Sequence, residues 1–265
     1  MNQKLPVLGV LGGMGPVVTV EFLKTIYEYN QYIDNEQEAP NVIVFSLPAA
    51  PDRTTSVHSG NEREFIDFVQ IHLEKLNQLV DRIVIGCCTA HYALAHLPEH
   101  QTNKVISLIK IADQQLQAHN EPALLLAGSG TYKKKLFEQG CTAANLIISP
   151  DEKDHHLIHE MIFKVLKRGH NPIIILEDVQ KLLDKYNTRS FISGCTEFHI
   201  LAKYLKLNSI DSMKAIDPLT TIAENFFQLL DLSSSNSDLL TTTMKLSQQF
   251  HSSNIESKTS LYQTN

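Results

Sequence analysis

Apolar positions along the chain fall into two alternating kinds of segment. Short continuous runs rich in Val, Ile and Leu recur at 5–12, 41–47, 82–87, 104–109, 123–128, 145–150 and 189–195, and runs of this kind predict strands covered on both faces. Between them lie longer stretches with apolar residues every three or four positions. Phe22, Ile26 and Tyr29 share one face of VTVEFLKTIYEYNQYI, and Phe65, Phe68, Val69, His72, Leu73 and Leu76 share one face of REFIDFVQIHLEKLNQLV. HHLIHEMIFKVLKRG behaves likewise, and each has the period of an amphipathic helix. Strand and helix alternate throughout, which predicts parallel sheets in an α/β protein.

The pattern also divides into two similar halves. The first opens with a strand at Val7 and closes its central strand on Gly86-Cys87-Cys88-Thr89; the second opens at Leu124 and closes on Gly194-Cys195-Thr196-Glu197. Ligands of open α/β sheets bind outside the carboxyl ends of strands, so two such ends face to face would hold a ligand between two cysteines. The expected architecture is therefore two similar domains, each a mostly parallel sheet flanked by helices, with the active site in the cleft between them. Residues 1–116 plus 212–231 are assigned to the first domain and 117–211 to the second. Residues 232–265 turn rich in Ser, Thr and Asn and read as a polar tail, partly helical or disordered.

Composition narrows the partner. The 265 residues are 43% hydrophobic and 20% charged, with a formal net charge of -6, so there is no basic footprint for nucleic acid or an anionic membrane surface. A small molecule is the default ligand. The opening apolar stretch is too short for a signal peptide and no later run approaches a membrane span, which predicts a cytoplasmic protein. Four cysteines, at 87, 88, 141 and 195, are too few for a disulfide framework and are expected as free thiols.

Cys87 and Cys195 are the candidate chemistry. A thiol that follows a strand at a helix N-terminus is pushed toward the thiolate, and two such groups on opposite sides of one carbon can invert it by removing and returning a proton. Taken singly, each would read as a small buried hydrophobe. A rival reading joins Cys88, His91, Cys195 and His199 as a zinc set, although neither half has the usual ligand spacing. The turn GGMGP, residues 12–16, suits either a tight strand-to-helix connection or an anion site, and its spacing is not the dinucleotide fingerprint. Arg53 offers a guanidinium fork for a carboxylate. Lys167 lies near a helix end, and the turn AGSGT at 127–131 repeats small residues in the second half.

Together these stretches resemble the aspartate/glutamate racemase family of cofactor-independent enzymes, over about residues 8–223. GVLGGMGP at 9–16 is similar to that family's opening, PDRT at 51–54 to its substrate loop, GCCTAH at 86–91 to its first cysteine motif and GCTE at 194–197 to its second. The resemblance implies racemisation of an amino acid, aspartate or glutamate, by Cys87 and Cys195 as an acid/base pair, with no cofactor and no metal, in a homodimer. It implies substrate contacts from Met14, Gly15, Arg53, Cys88, Thr89, Gly130, Thr131, Lys167 and Thr196. Gly86 and Cys88 depart from the family pattern, which has proline and asparagine there. The alternatives are a catalytically silent dicarboxylate-binding protein, or a related isomerase or decarboxylase.

Overall fold

The computed structural model describes residues 5–31 and 35–231; the expected polar tail, 232–265, lies outside them. Among the described residues the strands are β1 (Val7–Gly12), β2 (Asn41–Ser46), β3 (Arg82–Ile85), β4 (Val105–Ile106), β5 (Ala123–Leu126), β6 (Ile147–Ile148), β7 (Ser190–Ser193) and β8 (Lys214–Ile216). The helices are α1 (Pro16–Tyr29), α2 (Arg53–Ser59), α3 (Arg63–Asn77), α4 (Glu99–Thr102), α5 (Leu108–His119), α6 (Ser129–Lys134), α7 (Leu136–Gly140), α8 (His155–Glu160), α9 (Ile173–Lys185), α10 (Phe198–Leu207), α11 (Pro218–Glu224) and α12 (Phe226–Leu230).

All strand pairs are parallel, and they form two four-stranded sheets of matching order, β2-β1-β3-β4 and β6-β5-β7-β8. In each sheet the chain leaves the first strand to one side and returns on the other. Between β1 and β3, and between β5 and β7, the order reverses, and such switch points leave an open crevice at the carboxyl ends. The α/β architecture with parallel sheets is as the sequence predicts.

Side-chain alternation explains how two sheets make one molecule. Leu8, Val10 and Val84 point to one side of the first sheet, while Leu11, Ile83 and Ile85 point to the other, as a period of two requires. Leu125 and Ile192 share the first group's core, whereas Leu124, Leu126 and Phe191 face away from it. That shared core is filled by α1, α5, α11 and α12, through Phe22, Ile26, Leu108, Leu116, Ile222 and Phe226 among others. The outer faces are closed by α3 on the first sheet and by α8, α9 and α10 on the second. Truncating a fully buried side chain of the shared layer, such as Phe22, costs about 3–5 kcal/mol in comparable cores.

Two features differ from the sequence reading. β8 was hidden because three residues carry too little pattern, and it pairs with β7 as the edge strand of the second sheet. The helix expected over HHLIHEMIFKVLKRG is interrupted: α8 passes into a π-helical turn at Met161–Val165 and then a tight turn at Leu166–Arg168. Wide turns of this kind shift the register of the residues beyond them, and Lys167 is among those displaced. No described helix is long and apolar enough to cross a membrane.

Candidate active site

The two cysteine motifs leave their strands by the same route. β3 ends at Ile85 and β7 at Ser193, so Gly86-Cys87 and Gly194-Cys195 occupy equivalent places just beyond them. Each end is secured to its neighbouring strand, with Gly86 N–H on the Leu11 carbonyl and Cys195 N–H on the Leu126 carbonyl, both at 2.9 Å. Cys87 is buried, Cys195 is half-buried, and all four cysteines are free thiols. A charge on Cys87 acts on the Cys195 thiol.

Their surroundings differ. Arg53 opens α2, where Asp52 caps the helix by accepting from Thr55 N–H at 2.7 Å, and its guanidinium donates to the Met14 carbonyl at 2.7 Å. Burial opposes the Arg53 charge, but the neighbouring Cys87 sulfur, Asp52 and Glu197 outweigh it. At the other end, the Cys195 Sγ–H donates to Glu197 Oε2 at 2.8 Å, and Lys167 Nζ pairs with Glu197 Oε1 at 2.8 Å. Burial, then the Glu197 charge, push the Cys195 thiol well above its ordinary range, with Lys167 pulling the other way. The expectation that both thiols drift toward thiolate therefore fails at Cys195, where burial and, after it, the adjacent Glu197 carboxylate hold the proton on sulfur. Burial also works against the Lys167 charge, but Glu197 outweighs it and holds the ammonium above its ordinary range.

Glu197 was missed by sequence reasoning. It is buried to 2% exposure and lies against Gly15, where a Cβ would stand 2.6 Å from its Oε1. The available signal was an acid two residues after the cysteine in GCTE, on the same turn.

The other expected residues divide. Thr89 and Thr131 meet through their hydroxyls at 2.8 Å, and Gly130 sits beside them in close approach to Thr89 and Thr54. Thr196 turns its hydroxyl onto the Gly86 carbonyl at 3.1 Å, and Cys88 turns its sulfur onto the Ser193 carbonyl at 3.8 Å. These two bonds cross between equivalent strand ends, each end holding the other. Cys88, expected to contact substrate, is 2% exposed and packs in the shared core. The GGMGP turn is likewise occupied: Gly13, at φ +83° with no room for a side chain beside the Leu47 backbone, gives its N–H to Thr19 Oγ1 at 2.8 Å. Met14 is buried and contributes its carbonyl to Arg53. The turn therefore positions a cation at least as much as it offers donors to an anion.

Beside the site, α6 meets α2 and the segment that follows it through polar groups. His58 meets Ser129 Oγ at 3.1 Å, and Lys134 pairs with Glu62 at 2.6 Å.

The histidines of the zinc reading are otherwise engaged. His91 Nε2 accepts from Leu108 N–H at 3.1 Å, so its Nδ1–H donates to the Cys87 carbonyl at 3.0 Å. Burial lowers its pKa to about 4, leaving it neutral. His199 meets Asp217 at 2.6 Å through Nδ1 and Thr25 at 3.0 Å through Nε2. Among the described residues no group of three or more His, Cys, Asp or Glu is placed to hold a metal.

Comparison with known proteins bears on the family and the fold. The broad specificity amino-acid racemase RacX of Bacillus subtilis (strain 168) is 25% identical over 234 residues, covering 76% of this chain and 100% of that protein. In three dimensions the fold is similar to the Picrophilus torridus aspartate racemase, with a TM-score of 0.69 at 18% identity over 86% of this chain and 100% of that one. A glutamate racemase from Francisella tularensis subsp. tularensis, solved with D-glutamate, gives a TM-score of 0.54 at 20% identity over 88% of this chain and 85% of that one. The two structural likenesses speak to the fold alone. The Asp/Glu/Hydantoin racemase family model matches residues 11–225, a span that contains both cysteine motifs and the ring of charge around them, and the chain belongs to that family.

Proposed function

We propose that this protein racemises an amino acid by moving a proton across its α-carbon between Cys87 and Cys195, without a cofactor. The observation that carries the reading is the pair of free thiols on equivalent strand ends, with a guanidinium, an ammonium and a carboxylate drawn around them. One thiolate takes the α-proton and becomes a thiol. The electron pair moves onto the α-carboxylate, where Arg53 and preorganised donors meet the growing charge. The opposite thiol then delivers its own proton to the other face, and the centre is inverted.

Aspartate and glutamate are the first substrates to assay, since Arg53 and Lys167 supply two cations for two carboxylates. A wider range has its own support: Glu197 already pairs with Lys167, which leaves Arg53 as the cation not spoken for by a carboxylate side chain at that distance. The family relative named for broad specificity points the same way.

The test is incubation of single enantiomers in heavy water. Deuterium at the α-position with loss of optical rotation supports the reading. Ligand-induced stabilisation with no exchange across the panel would instead make the protein a binder.

A further inference from the structure

Cys87 and Cys195 stand on equivalent strand ends yet face opposite charges. A guanidinium adjoins Cys87, while a carboxylate accepts the Cys195 Sγ–H at 2.8 Å. The charged and titratable groups felt at Cys195 come from several elements: Glu197 on its own turn, Lys167 after the π-helical turn, Cys87 beyond β3 and Tyr132 on α6. Arg53 on α2 acts on Cys87, Glu197 and Lys167 alike. Burial at 2% exposure keeps Glu197 from being screened by water.

We propose that Glu197 keeps the resting proton on Cys195, so that the free enzyme offers Cys87 as base and is set for one enantiomer over the other. This deepens the two-thiol reading and rests on it. In the favoured direction Cys87, as thiolate, takes the α-proton and becomes a thiol, and Cys195 gives its proton to the opposite face and becomes a thiolate. The proton count of the site is unchanged. What changes is that a thiolate now stands against the Glu197 carboxylate, with Lys167 as its compensating charge. The opposite enantiomer requires that less stable form at the outset. Glu197 is thus a positioning residue for a proton, acting through Cys195.

Enantiomers have equal free energy in water, so kcat/KM must be the same in both directions. The imbalance therefore appears as kcat and KM differing together by one factor. For the full chain and its best substrate, we expect kcat to differ at least fivefold between enantiomers, and less than twofold in Glu197→Gln.

A second measurement needs no substrate. Iodoacetamide alkylation, followed by peptide mass spectrometry from pH 6 to 9, should find Cys195 lagging Cys87 although it is the more exposed. Glu197→Gln should raise the Cys195 rate at least fivefold while Cys87 changes less than twofold, and Glu197→Asp, which keeps the charge, should preserve the lag. An unchanged Cys195 rate in Glu197→Gln overturns the proton placement, as does a kcat ratio that survives the substitution. A split in thiol rates without racemisation of any amino acid overturns the proposed function and leaves the proton placement standing.

Discussion

The turn that carries Cys87 and the turn that carries Cys195 are two copies of one backbone device with different wiring. One residue on, Cys88 and Thr196 both reach across to a carbonyl of the opposite end. Two residues on, Thr89 meets Thr131, whereas Glu197 meets its own cysteine and a lysine. Four residues on, His91 holds the Cys87 carbonyl and is neutral, whereas His199 faces Asp217. Burial would raise the Asp217 pKa, but the His199 charge and bond outweigh it and hold it low. The positions that hold the scaffold are alike in the two turns, and the positions that set charge differ. A symmetric frame can thus carry an asymmetric proton.

The largest expected effect tests whether the copies act as a pair. Cys87→Ser and Cys195→Ser should each reduce racemisation at least about 10³-fold, followed as loss of optical rotation. Near-normal rates from either would end the two-thiol reading.

Next comes the histidine that has no charged partner. His91 takes a proton near pH 6.5 when unfolded but only near 4 when folded, so the unfolded state binds more protons between those values and stability falls as pH drops through them. The loss is about 3 kcal/mol once pH reaches the lower value. His91→Gln should lower stability at pH 7 and remove much of the slope between pH 6.5 and 4, read from urea midpoints. A slope equal to that of the parent protein would show that His91 does not cause it.

Cys88→Asn asks whether the first turn tolerates a polar group where it packs. It should cost roughly 2 kcal/mol by burying an amide with too few partners, with no gain in rate. A faster or redirected enzyme would place position 88 at the substrate after all.

Arg53→Lys probes the cation beside Cys87. Loss of the planar fork should raise KM about tenfold while the fold is retained, and an unchanged KM for every active substrate would remove Arg53 from carboxylate binding. The smallest effect is expected from Thr196→Val, about 1 kcal/mol of stability for one buried hydrogen bond. If it lowered stability as little as a surface change, the crossed bonds would not be holding the ends together.

Much of this was legible in the sequence because an apolar run that stops at glycine marks a strand end whatever surrounds it. The two glycine-cysteine ends and the parallel α/β plan come from that. β8 was not legible, since Lys214–Ile216 is recognisable only beside β7. Nor was Glu197, one of 29 acidic residues and distinguished by a lysine thirty positions upstream that a π-helical turn delivers to it. The burial of Cys88 was not legible either, because resemblance assigns a residue type to a place, while the direction of a side chain depends on what packs behind it.

The single helical layer shared by both sheets has a mechanical consequence. Parting the sheets along it would expose Phe22, Ile222, Leu125 and their neighbours to water, at roughly 25 cal/mol for each Å² uncovered. Between α6 and residues 58–62, by contrast, the contacts are polar, His58 with Ser129 and Lys134 with Glu62. Any separation of the two sheets would therefore cost less on the side of α2 and α6 than along the shared helical layer. Arg53, at the head of α2, stands on that polar side.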